Sequence, residues 1–171
     1  MNKSVRLSLI ALTCAVGVAA CSQKQVKPVA PPPPPPPPAQ PAPAPAPTGF
    51  TPADLVTNAC LRQRVVYFDF DKSTIKPEFQ QIMACHAKYL QDRPSAHIRL
   101  EGNTDERGSR EYNLGLGERR GNAVEAALEA NGASASQITV VSYGEGRPVC
   151  REHTQSCWAK NRRVNIVYTS K

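Results

Sequence analysis

The run N-T-D-E-R-G-S-R-E-Y-N-L-G-L-G-E-R-R-G, from Asn103 to Gly121, places a carboxylate, Asp105, fifteen residues before a guanidinium, Arg120. Two opposite charges held apart can grip a small ligand that carries both an ammonium and a carboxylate, through charge-assisted hydrogen bonds. The same two groups can instead close on each other as an ion pair with no ligand, and the charge pattern alone leaves both readings open. Neither needs catalysis. Adjacent carboxylates such as Asp105 and Glu106 are ordinary turn chemistry. Cys85 and His86 are neighbours on a helical stretch, so they diverge and cannot face one another as nucleophile and base. Gly115, Gly117 and Gly121 have the wrong spacing for a dinucleotide fingerprint, and no strand leads directly into them. The residues point to a binding module, not an enzyme.

Hydrophobic periodicity gives the elements that must hold these groups. Val65 to Phe70 reads as a strand with Val66, Phe68 and Phe70 on one face. A helix starts at Pro77, suited to a first turn, and runs to about Gln91 with Phe79, Ile82, Met83, His86 and Leu90 on its apolar side. His86 on that face reads as a core histidine. His97 to Gly102 is a second strand, followed by a helix from an N-cap at Ser109 to Asn131, with Gly132 beyond its end. Ile138 to Tyr143 and Arg163 to Tyr168 complete the strands, joined by a long connection from Gly144 to Asn161. The order β-α-β-α-β-β predicts an α+β fold: a mixed four-stranded sheet with helices on one face.

In the second helix, Leu114, Gly117, Gly121, Val124 and Leu128 are expected on the core stripe. Its glycines cost helix stability, which is reasonable only where the helix lies very close to the sheet. Asn113, Leu116 and Arg120 fall on a neighbouring stripe, putting Arg120 at the rim of the core with one side open to solvent. The turn bearing Asp105 and Arg107 ends near this helix's positive N-terminus, which favours a bound carboxylate.

The N-terminal region reads as an address and a spacer. Lys3 and Arg6 precede an apolar run from Leu7 to Ala20, the pattern of a signal peptide spanning residues 1–20. Val18-Ala19-Ala20-Cys21 resembles a bacterial lipobox, in which Cys21 is acylated; several acyl chains give stable anchoring. Residues 21–49 form a tether. Thirteen prolines between Ser22 and Thr48, eight of them consecutive, forbid helix and ladder. At roughly 3 Å per residue such a polyproline segment reaches on the order of 80 Å.

Residues 50–171 are long enough for one domain with one core. Four of the 21 basic residues (Lys3, Arg6, Lys24 and Lys27) lie before it, leaving 17 against 14 acidic ones. That small, interspersed excess gives no footprint for nucleic acid. Cys60, Cys85, Cys150 and Cys157 allow three disulfide pairings; Cys150–Cys157, bracketing a short loop, and Cys60–Cys85 are favoured. Cys150-x2-His153-x3-Cys157 could hold zinc, but lacks a clear fourth ligand. No cofactor is implied.

Five motifs carry a resemblance covering nearly all of the region from Val65 to Tyr168: Y-F-D-F-D-K (Tyr67 to Lys72), E-G-N-T-D-E-R-G (Glu101 to Gly108), Y-N-L-G-L-G-E-R-R (Tyr112 to Arg120), V-S-Y-G (Val141 to Gly144) and N-R-R-V (Asn161 to Val164). In their order and spacing the chain resembles the OmpA-like family of peptidoglycan-binding domains. Departures are Gly121, where alanine is usual, and the Cys150/Cys157 pair with its loop. The resemblance implies an OmpA-like sandwich whose ligand is the diaminopimelate of the peptidoglycan stem. Asp105 would accept its ammonium and Arg120 would pair with its carboxylate. Phe70 and Asp71 would form the pocket wall and offer main-chain groups, Arg107 would meet a further carboxylate, and Leu116 would give an apolar floor. Core packing is an alternative role for Phe70 and Leu116. Asp69, Asn161, Arg162 and Arg163 are read as structural or rim residues. The resemblance further implies a lipid-anchored outer-membrane protein whose domain faces the periplasm. Its place would be in the Tol envelope system, with the TolB β-propeller, and TolA as a second candidate, for partners. A structural envelope lipoprotein that anchors to the wall outside that system is the alternative.

Overall fold

The computed structural model describes residues 49–171; the leader, Cys21 and the tether up to residue 48 lie outside the described residues. Four strands, β1 (Val65–Tyr67), β2 (His97–Asn103), β3 (Ile138–Gly144) and β4 (Arg163–Ser170), form one sheet in the order β1-β4-β2-β3. β2 and β3 run parallel, and β4 is antiparallel to both of its neighbours, β1 and β2. The register sets Val66 opposite Val164 and Leu100 opposite Ile166. Alternation then turns Val66, Ile98, Leu100, Val164 and Ile166 to one face, where all are buried. Helices α3 (Gln80–Asp92) and α4 (Arg110–Ala130) cover that face with Met83, Ala87 and Leu90 from α3 and Val124 and Leu128 from α4. The expected mixed sheet with helices on one side is the observed one.

Two short helices, α1 (Asp54–Thr57) and α2 (Ala59–Arg62), precede β1 and bury Leu55 and Leu61. Each is a single turn, too short to show a period. The Cys60–Cys85 bridge staples α2 to α3 with Cα atoms 6.3 Å apart. With Cys85 in that bridge, His86 is in the core as expected. Its Nδ1 lies 2.7 Å from the Tyr168 hydroxyl and its Nε2 2.9 Å from the Gln63 carbonyl.

The first strand is shorter than its sequence pattern. It stops at Tyr67; Phe68 still donates its N–H to the Arg162 carbonyl and stays buried, and the chain then turns through Asp71 at φ 57°. Alternation therefore ends before Phe70, which is 55% exposed instead of lying with Val66 and Phe68.

Helix α4 starts where expected, with Ser109 Oγ accepting from Tyr112 N–H at 3.2 Å. It ends in a left-handed Gly132 (φ 95°), and Ala133 N–H reaches back to the Leu128 carbonyl. The close approach that its glycines required is present. A Cβ on Gly102 of β2 would stand 2.0 Å from the Gly117 carbonyl oxygen, and one on Gly121 2.4 Å from Val140 Cγ1. One part of the wheel is corrected: Leu114 is exposed, whereas Asn113, Leu116 and Arg120 are buried. The reason lies outside the helix. The Asp69–Lys72 segment leaves β1 and lays its carbonyls over Arg120, so this stripe is covered from two sides.

The connection between β3 and β4 contains a short helix, α5 (Gln155–Asn161), capped by Thr154 and pinned by the Cys150–Cys157 bridge. The two sulfurs are joined to each other and His153 turns to Glu106, so that set does not form a zinc centre. Among the described residues, no helix is long and apolar enough to cross a membrane.

Candidate binding cleft

The end of β1, the turn after β2 and the first turns of α4 meet at a cleft of about 180 Å³. It brings together all six residues singled out from the sequence: Phe70, Asp71, Asp105, Arg107, Leu116 and Arg120. Thr104, Gly108, Tyr112, Asn113 and Arg162 complete the lining.

Arg120 forms the back of the cleft. It is 0% exposed, not half-open at a rim. Its Nε donates to the Lys72 carbonyl at 2.9 Å, Nη1 to the Asn103 carbonyl at 2.9 Å and Nη2 to the Asp69 carbonyl at 3.1 Å. Three neutral acceptors fix the guanidinium without neutralising it. Burial, with repulsion from Arg162, pulls its pKa down to about 10, which still leaves it charged at neutral pH. A guanidinium has five N–H bonds, so one on each Nη remains uncommitted among the described residues.

Asp105 does not pair with Arg120. Its Oδ1 accepts from Arg107 N at 3.1 Å and Nε at 3.2 Å; its Oδ2 accepts from Arg107 Nη2 at 2.7 Å and Arg162 Nη1 at 3.1 Å. Burial works to raise the pKa of this carboxyl, but the hydrogen bonds from Arg107 and Arg162 outweigh it and hold the group below its ordinary value. Asp71, at the outer edge, accepts from the Tyr112 hydroxyl. Three guanidiniums thus face two carboxylates beside the N-terminus of a 21-residue helix, a setting that favours an anionic group.

Phe70 carries the rim. The Arg107 guanidinium lies 3.9 Å from its ring centroid and 4.3 Å from that of Trp158 on α5. Trp158 Nε1 donates to Glu106 at 2.8 Å. Leu116 is buried, and it also lines the cleft, so packing and contact are not exclusive for it.

Sequence reasoning left Arg162 among structural and rim residues, with Asp69, Asn161 and Arg163. Asn161 and Arg163 are structural: Asn161 Oδ1 accepts from Val149 and Cys150 N–H, and Arg163 ties Asn165 to the Arg147 carbonyl. Arg162 instead belongs to the cleft. The available signal was register: β4 pairs Arg163 with Asn103, so the residue before one strand adjoins the turn after the other. Thr104, buried with an Oγ1 that has no partner among the described residues, also lines the cleft; a threonine in a turn carries no such mark. Trp158 lies too far along the chain to be linked to Asp105 by spacing.

Residues 67–162 match the OmpA family. The peptidoglycan-associated lipoprotein of Pasteurella multocida is 46% identical over 107 residues, 63% of this chain and 71% of that protein. That of Haemophilus influenzae is 44% identical over 120 residues, 70% of this chain and 76% of its own length. Among solved structures, the peptidoglycan-associated lipoprotein from Burkholderia pseudomallei superposes with a TM-score of 0.66 at 43% identity, covering 68% of this chain and 98% of that one. The C-terminal domain of Helicobacter pylori MotB, at 24% identity and a TM-score of 0.58, shares the fold alone. Matched by that family over more than half its length, and 44–46% identical to two peptidoglycan-associated lipoproteins, the chain belongs to the OmpA family.

Proposed function

We propose that this chain is an outer-membrane lipoprotein, anchored through acylated Cys21, that binds peptidoglycan without covalent chemistry through the diaminopimelate of the peptide stem. It would link outer membrane to cell wall within the Tol–Pal system, with TolB, and TolA as a second candidate, as partners. One observation carries the binding reading: a buried arginine held by three carbonyls, with one N–H of each Nη uncommitted, backs a cleft that also holds a carboxylate. The side-chain end of diaminopimelate bears an ammonium and a carboxylate on one carbon. Its carboxylate takes the two free N–H groups of Arg120. Its ammonium goes to Asp105 in place of one of the four donors now there. Because Arg120 has no exposed surface, the ligand reaches it only as the outer wall of the cleft gives way.

The relatives' names, which describe association with peptidoglycan, support the same reading. Two or three charge-assisted bonds at about 1.5–3 kcal/mol each, less desolvation and ordering, give a micromolar-to-millimolar site. Many anchored copies facing one polymer then hold it by multivalency. The test is co-sedimentation with insoluble peptidoglycan. Asp105→Asn and Arg120→Lys, checked for folding by near-ultraviolet circular dichroism, are expected to stay in the supernatant while the unaltered protein pellets. Undiminished pelleting of both folded variants would refute the assignment.

A further inference from the structure

Arg107 is held unlike an ordinary surface arginine. Its Nε and Nη2 are fixed on Asp105, and its guanidinium lies over two rings, 3.9 Å from the Phe70 centroid and 4.3 Å from that of Trp158. Its Nη1, with two N–H bonds, has no partner among the described residues, although the side chain is 28% exposed at the cleft edge. A charged donor that is immobilised and left unpaired beside a cleft is set to receive an acceptor. Since Arg120 is occupied by one carboxylate in the proposed mode, Arg107 Nη1 is placed for another.

The outer ring is brought from a distance. Trp158 follows Cys157, which is bridged to Cys150, and its indole N–H is fixed on Glu106, the residue next to Asp105. His153 of the same bridged loop holds the same Glu106 oxygen at 2.5 Å. The loop is thereby fastened to the turn it covers at two points. Phe70 alone leaves the guanidinium free to tilt away, whereas a second ring held against it restricts its positions further.

We infer that Trp158, seated by the Cys150–Cys157 loop, is a positioning residue that fixes Arg107 so that its Nη1 selects ligands carrying a second carboxylate. This rests on the proposed stem-binding function and adds a specificity determinant to it. Trp158 does not touch the ligand in this arrangement; it acts through Arg107.

The test uses the whole protein and two synthetic diaminopimelate-bearing stem peptides, one with the carboxylate of the residue preceding diaminopimelate free and one with that group amidated. Titration calorimetry of the unaltered protein is expected to favour the free carboxylate by about tenfold, the size of one charge-assisted bond at a partly exposed site. Trp158→Phe, which keeps an aromatic face but loses the bond to Glu106, keeps most of that preference. Trp158→Ala binds both peptides with the affinity the unaltered protein shows for the amidated one, so the ratio falls to about one. A general loss of structure would weaken both peptides together and leave the ratio standing. Persistence of the tenfold ratio in Trp158→Ala overturns the inference, as does the absence of any preference in the unaltered protein. Binding of neither peptide by the unaltered protein overturns the proposed function itself, and this inference with it.

Discussion

Arg162 donates from Nη1 to Oδ2 of Asp105 at 3.1 Å and from Nε to the Phe68 carbonyl at 3.0 Å, tying the end of β1, the turn after β2 and the start of β4 at one point. Removing it leaves a buried carboxylate with one guanidinium instead of two. Arg162→Ala is expected to lower unfolding stability by about 2 kcal/mol in urea titrations. It should also raise the Asp105 pKa toward the ordinary 3.8, read by carbon-detected NMR of the carboxyl. The sign follows from linkage: a carboxyl depressed in the folded state contributes stability above its unfolded value and loses it as pH falls through the folded one. An unchanged carboxyl titration in the variant would show that Arg162 does not act on Asp105.

The contact between β2 and α4 gives an opposed pair of substitutions. In Gly102→Ala the new Cβ meets the Gly117 backbone oxygen at 2.0 Å, which no rotamer change relieves. A loss of several kcal/mol and a lower Tm are expected. Gly115 lies on the same helix, and its nearest such neighbour is the flexible end of Arg119 at 3.4 Å. Gly115→Ala should stabilise by up to about 1 kcal/mol through helix propensity. Thermal unfolding of the two variants separates close packing from propensity; equal shifts would refute the close approach.

His86 sets an acid limit to stability. Burial, opposed in part by its bond to the Gln63 carbonyl, lowers its pKa from 6.5 to about 4. The unfolded chain thus takes a proton that the native one refuses. The contribution of His86 is fully present above pH 6.5 and is lost as pH drops toward 4, by on the order of 3 kcal/mol at about 1.4 kcal/mol per unit. Urea unfolding of the unaltered protein and His86→Gln across this range checks it. The variant loses that slope whatever its own cost in stability; parallel profiles would contradict the assignment.

The fold was largely legible because its helices and most strands are long enough to show their period, and because glycines at 117 and 121 announce a helix pressed on a sheet. The cleft was half legible. Asp105 and Arg120 stand out as charges fixed by a turn and a helix, and all six named residues line one space. What spacing could not show is who holds them. Arg120 is satisfied by three backbone carbonyls, and backbone acceptors leave no mark in side-chain patterns. A wheel counts one apolar stripe and so turns Leu114 inward, whereas the Asp69–Lys72 segment creates a second covering layer over Arg120. Trp158 reaches Arg107 only through a bridged loop and a seven-residue helix, which is too short for periodicity.

The proposal that opposite charges in this cleft take a zwitterionic side-chain end is tested most directly by comparing two stem peptides, one bearing diaminopimelate and one bearing lysine, in titrations of the same protein. Lysine offers the ammonium but no carboxylate for the free N–H groups of Arg120. The expected result is micromolar-to-millimolar binding of the diaminopimelate peptide and at least about tenfold weaker binding of the lysine peptide. Equal affinity for the two would contradict it.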